Sequence, residues 1–134
     1  MGTNYYLKLS QETLNTMFGG MHPKLIQYIQ PIIESQYNHH IGKASGGWKF
    51  LFQLQTIPQG DGTGKFLDSF EKWKEVIMDP DYVVEDEYGS IVDKKEFIKI
   101  VDFYQTKKSS YVGLPGFNGF RDGQGYEFSY EDFS

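Results

Sequence analysis

Residues 40–48 read His-Ile-Gly-Lys-Ala-Ser-Gly-Gly-Trp, the densest chemistry in the chain. Glycine carries no Cβ, so successive N–H groups can turn toward one point and form a nest for an anion. Lys43 adds a point charge, Ser45 a hydroxyl donor, and His40 an imidazole three residues before Lys43. With Gly42, Gly46 and Gly47 these groups could hold a phosphate or a carboxylate. Trp48, Tyr5 or Tyr6 would then stack on a base or sugar. The same small residues equally suit an ordinary hairpin loop.

Better-defined chemistries lack their residues. A P-loop needs glycine five positions before the Gly-Lys pair and Ser or Thr after it. Tyr37 and Ala44 stand there for Gly42-Lys43, and Gln59 and Phe66 for Gly64-Lys65. Residues 60–65 therefore read as a flexible turn. There are no cysteines, which excludes disulfides, Cys-ligated metals and thiol catalysis. His22, His39 and His40 are the only histidines. Adjacent His39 and His40 face opposite ways on a strand, so no metal site is expected. His40 with Ser45, oriented by Asp86, is one conceivable hydrolase arrangement, but no G-x-S-x-G elbow accompanies it. The balance leans away from an enzyme, with a hydrolase using His40 as the alternative, and no cofactor is expected.

The elements that must position these residues follow from periodicity. Residues 3–8 alternate as a first strand. Ser10 caps a short helix through Phe18, which Gly19-Gly20 stops. Pro23 opens a second helix, and Pro31 should kink or split it. A strand, the small-residue loop and a strand at 48–54 follow. Trp48, Phe50, Phe52 and Leu54 share one face of that last strand, which is expected to be central. Asp68 or Ser69 starts a helix through Met78, with Phe70, Trp73, Val76 and Ile77 on its apolar face. A strand over 82–87, a turn, a return strand at 91–92 and a helix capped by Asp93 come next. Residues 106–121 read as a long loop.

The pattern D-x-x-G-x-x-[VF]-[DS]-x-x-[ED]-F occurs twice, from Asp86 to Phe97 and from Asp122 to Phe133. Each copy predicts a tight turn with a positive-φ glycine. A short strand should follow, then a capped helix start whose Phe enters the core.

The 134 residues suffice for one domain with its own core. The fold expected is a single α+β domain over 1–134. Its sheet should be mostly antiparallel with about five strands, carrying three or four helices. Residues 1–60 carry four lysines and two glutamates; residues 61–134 carry nine basic and sixteen acidic side chains. At net charge −5 the chain is repelled by phosphate backbones, so nucleic acid is not the expected partner. No apolar run reaches the roughly 18 residues of a membrane span, and no helix is basic enough for a membrane surface. Most of the two Trp, ten Tyr and eleven Phe should form the core, but ten tyrosines are more than a small core readily absorbs, leaving some for a cleft or partner surface.

Several stretches together resemble a family of small uncharacterised proteins of tailed bacteriophages and prophages. They are Gly2-Thr3-Asn4-Tyr5-Tyr6, His40-Ile41-Gly42-Lys43-x-Ser45-Gly46-Gly47-Trp48-x-Phe50, the helix with Trp73, and Asp86-Glu87-Tyr88-Gly89. The ending, Gly125-Tyr126-x-Phe128-Ser129 and Phe133-Ser134, is also similar. Residues 10–38 and 106–120 lie outside the likeness. Relatives often carry a Cys-x-x-Cys pair ahead of the His-Ile-Gly-Lys motif, where this chain has a helical segment. The family has no established activity. The resemblance implies an accessory protein of the host cytoplasm that acts by binding, for host takeover or against a defence system. Its partner would be a nucleotide-like small molecule or, alternatively, a host protein that it inhibits.

Overall fold

A computed structural model describes residues 2–58 and 62–133. Alternating buried and half-buried residues make β1 (Gly2–Leu9) a strand with two faces, Tyr5 and Leu7 inward. The Ser10 hydroxyl accepts the Thr13 N–H at 3.1 Å and starts α1 (Gln11–Met17). His22 caps α2 (Pro23–Gln36) in the same way, its Nδ1 accepting the Lys24 N–H. Pro31 lies inside this helix without splitting it, so of the two outcomes expected, a kink or a split, the split does not occur. Gln27, whose carbonyl loses its donor, and Pro31 itself both lie on the exposed side, where solvent can satisfy the freed group.

Next come β2 (His39–Ser45), β3 (Leu51–Gln53), and the hairpin strands β4 (Gln55–Pro58) and β5 (Gly64–Leu67). The expected flexible turn at 60–65 is therefore a strand at Gly64 and Lys65, paired with Pro58 and Ile57. Its residues 60 and 61 lie outside those described. Ser69 and Asp93 cap α3 (Phe70–Ile77) and α4 (Lys94–Gln105) as their sequence spacing predicts. Between these helices lie β6 (Tyr82–Asp86) and β7 (Ile91–Val92); β8 (Gly119–Arg121) and β9 (Glu127–Ser129) follow α4.

Seven strands form one sheet in the order β7-β6-β1-β2-β3-β9-β8, and β4-β5 form a second, two-stranded sheet. The α+β fold is as expected, with more strands than the five anticipated. Every pairing in the large sheet is antiparallel except β3 with β9. The central strand is β2, not the segment 48–54. Residues 48 and 49 are drawn out of the ladder by Ser109, which bridges Trp48 and accepts the Lys49 N–H at 2.9 Å. The core lies on one face of the sheet, where Tyr5, Leu7, Ile41, Phe50, Phe52, Val84 and Phe128 meet Phe70, Trp73, Ile77, Phe97 and Val101 of α3 and α4. None of the described helices is long and apolar enough to cross a membrane.

The repeated motif builds the same turn twice. The Asp86 carboxylate accepts the N–H groups of Tyr88 and Ser90, and that of Asp122 accepts those of Gln124 and Tyr126. Gly89 and Gly125 close the turns at φ 84° and 91°. The copies then diverge. Phe97 enters the core as expected. Phe133 does not, and no helix follows β9 among the described residues. The Ser129 hydroxyl accepts the Glu131 N–H instead, and Phe133 ends on the opposite side of the sheet.

Candidate functional site

The nine residues singled out from the sequence separate into three groups, because residues 39–45 are a strand rather than a loop. Neighbours on a strand face opposite sides, and strand amides are committed to the ladder.

Tyr5 and Gly42 belong to the core side. Tyr5 is buried against Phe50 and Phe97, so it does not stack on a ligand. Burial also pushes its hydroxyl pKa above the usual tyrosine value. Gly42 sits between Tyr5 of β1 and Phe52 of β3. A Cβ there would run into the Leu51 carbonyl oxygen and the Phe50 ring. Its lack of a side chain serves close backbone packing, not an anion nest.

Ser45, Gly46, Gly47 and Trp48 form a tight turn closed by the Trp48 N–H on the Ser45 carbonyl at 3.0 Å. Gly47 takes φ 81°, which a side chain would oppose. Its carbonyl accepts the Ser109 N–H at 3.2 Å. Trp48 stacks on Tyr111 with ring centroids 4.7 Å apart. This group anchors the 106–118 segment to the sheet. The expectation of amides converging beside Lys43 is thus corrected: Gly42 is in the ladder, and Gly46 and Gly47 are the centre of a turn several residues away.

Tyr6, His40 and Lys43 do come together, on the sheet face away from α3 and α4. Tyr6 pairs with His40 across β1 and β2, and their rings lie 5.2 Å apart. A bulge between Tyr5 and Tyr6 shifts the register so that Lys43 pairs with Asn4 on the same face. The Asn4 side-chain oxygen lies 2.9 Å from His40 Nε2. Gln55 donates to the His40 carbonyl at 3.3 Å. Phe133 completes the cluster: its ring meets the His40 imidazole edge-on at 4.7 Å, and the Lys43 ammonium stands 5.6 Å from its centroid. Burial pushes the His40 pKa below the ordinary histidine value; the Lys43 charge acts in the same direction, and Gln53 and Asp132 oppose it. The ring is therefore held neutral at pH 7, able to accept or donate one hydrogen bond.

Asn4 and Phe133 were not singled out from the sequence. Asn4 could have been found from strand alternation, which places it beside Tyr6 on one face. Phe133 had no such signal, since its motif predicted a core position.

A second concavity lies on the same side of the sheet. The α1–α2 hairpin and the strands β1, β6 and β7 enclose a cleft of about 480 Å³. Lys8 and Glu85 form an ion pair at 2.9 Å in its wall. No three His, Asp or Glu side chains gather as a metal site among the described residues. No family model, no curated protein and no solved structure matches this chain.

Proposed function

We propose that the protein works by non-enzymatic binding of a nucleotide-like ligand at the Tyr6–His40–Lys43 cluster. One observation carries this reading: two of the side chains chosen for their chemistry, His40 and Lys43, converge on an aromatic ring supplied by the chain itself, with Tyr6 packed beside His40. Phe133 occupies the place a base would take, between an imidazole edge and an ammonium. A phosphorylated ligand would displace the ring and present its charge to Lys43. The likeness to phage accessory proteins gives this binding a purpose, sequestering a signalling nucleotide in the host cytoplasm or blunting a defence system that uses one.

A second reading, inhibition of a host protein by direct contact, is favoured by exposed apolar groups away from that cluster. Tyr28 and Tyr88 are each 74% exposed and Ile91 is 70% exposed.

A thermal-shift screen of nucleotides, cyclic dinucleotides and ADP-ribose derivatives tests the first reading. Phe133→Ala should enlarge the shift given by the active compound, and Lys43→Ala should abolish it. No shift in the wild type or in Phe133→Ala overturns it, as does an unchanged shift in Lys43→Ala. Turnover of a compound would instead promote a hydrolase using His40. An empty screen with a stoichiometric partner from bacterial lysate would favour the second reading.

A further inference from the structure

The cleft under the α1–α2 hairpin shares no residue with the Tyr6–His40–Lys43 cluster. One wall comes from the sheet, with Lys8, Val83 and Glu85, and the other from the helices, with Leu14, Pro31 and Glu34. Its volume of about 480 Å³ falls in the range of pockets that hold a small ligand or a large side chain.

The charges in it are unequal. Glu85 is partnered by Lys8, which neutralises that pair locally. Among the described residues Glu34 receives only a neutral donor: Gln30 Nε2 bonds Glu34 Oε1 at 2.9 Å. The cleft therefore carries one uncompensated carboxylate on its helical wall. Leu14, Pro31 and Val83 supply apolar surface beside it. Gln11, Ser35 and Asn38 line the cleft as well, so its walls are mixed, and a long cationic side chain, with an apolar stem and a charged head, matches mixed walls that carry a carboxylate.

We propose that this cleft is a docking site for an arginine side chain presented by a basic segment of a partner protein. Arginine fits better than lysine. Its planar fork can grip a carboxylate with two hydrogen bonds, and it sheds water more readily on entering a partly apolar site. The chain's net charge of −5 draws a basic segment from a distance, and the cleft selects the side chain. The inference supplies contact chemistry for the second reading of function without depending on the first.

The test uses the peptide acetyl-(Gly-Arg)4-amide, with matched Gly-Lys and Gly-Glu peptides, titrated into the whole protein and followed by amide chemical shifts. Shifts should concentrate at Leu14, Glu34, Val83 and Glu85. The Gly-Arg peptide should bind several-fold more tightly than Gly-Lys, and Gly-Glu not at all. Glu34→Lys should weaken Gly-Arg binding at least tenfold. Glu71→Lys, the same charge change on an exposed residue of α3, should weaken it less than twofold. Ser35→Trp, which fills the cleft without changing charge, should also abolish binding and carries the test if Glu34→Lys fails to fold. Equal losses from Glu34→Lys and Glu71→Lys would mean bulk charge alone and overturn the proposal. So would shifts centred elsewhere, equal binding of the Gly-Lys peptide, or full binding by Ser35→Trp.

Discussion

His39 and His40 are neighbours with separate environments, and both are kept neutral by burial. His39 is only 9% exposed, and its Nε2 has no hydrogen-bond partner among the described residues. Burial lowers the pKa of each below the ordinary 6.5. The sign of the linkage follows. Below pH 6.5 the unfolded chain takes up protons that the folded chain resists, so stability drains away as pH falls. Urea denaturation should show a midpoint that drops between pH 7 and pH 5. His39→Gln should flatten that slope, and a wild-type slope of zero would contradict the burial argument. At this scale the sequence was informative about residue type and less so about direction. Tyr6, His40 and Lys43 were chosen for their chemistry and do converge. Tyr5 and Gly42 were chosen by the same reasoning and face the core. Whether the segment is a loop or a strand decides between them, and glycine with serine fits either until the pairing partners are known.

Among the elements, the segment 106–118 is held from two sides, by the Ser45–Trp48 turn and by one buried carboxylate. Glu127 in β9 is fully buried; its Oε1 accepts the Tyr111 N–H at 2.8 Å, and its Oε2 lies 3.4 Å from Arg121 Nε. Replacing it with a residue of similar size but no acceptor strands the Tyr111 N–H, at a cost of about 1–3 kcal/mol. Glu127→Leu should therefore lower stability by that order and speed trypsin cleavage at Lys107 and Lys108. Glu127→Gln keeps an acceptor and should resist cleavage better. Equal protection in Glu127→Leu would show that the Trp48–Tyr111 stack alone holds the segment. Nothing in the composition of 106–121 discloses this anchoring, because it depends on a distant turn and on a glutamate that reads as a surface residue. The helices were legible by contrast: Ser10, Ser69 and Asp93 each announce a cap, and each caps. The twin Asp-x-x-Gly turns were legible for the same reason, since a local hydrogen-bond pattern needs only nearby residues.

Across the whole molecule, burial is uneven. The core joins α3 and α4 to the sheet, while α2 contributes no fully buried residue. Stability should be graded accordingly. In hydrogen exchange, amides of α2 should open well before those of β1, β2 and α4, with rates that depend little on global stability. Protection of α2 equal to that of β2 would mean the hairpin is welded to the sheet by contacts beyond those described. The α+β class and its antiparallel bias were readable from alternation and caps. Strand order was not, because nothing local tells β3 that its outer neighbour lies 76 positions further along the chain.

That one parallel pairing sets a condition on biogenesis. Leu51, Phe52 and Gln53 pair with Glu127, Phe128 and Ser129, so while a ribosome is still extending the chain, the outer rim of β3 stays unpaired, with buried-type aromatic residues at its side. Such a nascent intermediate is exposed to wrong partners until residues 119–129 emerge and zip onto it. Polypeptides cut short upstream of that segment would keep a sticky border, and the cell's chaperones would meet them as clients rather than as smaller working versions of the protein.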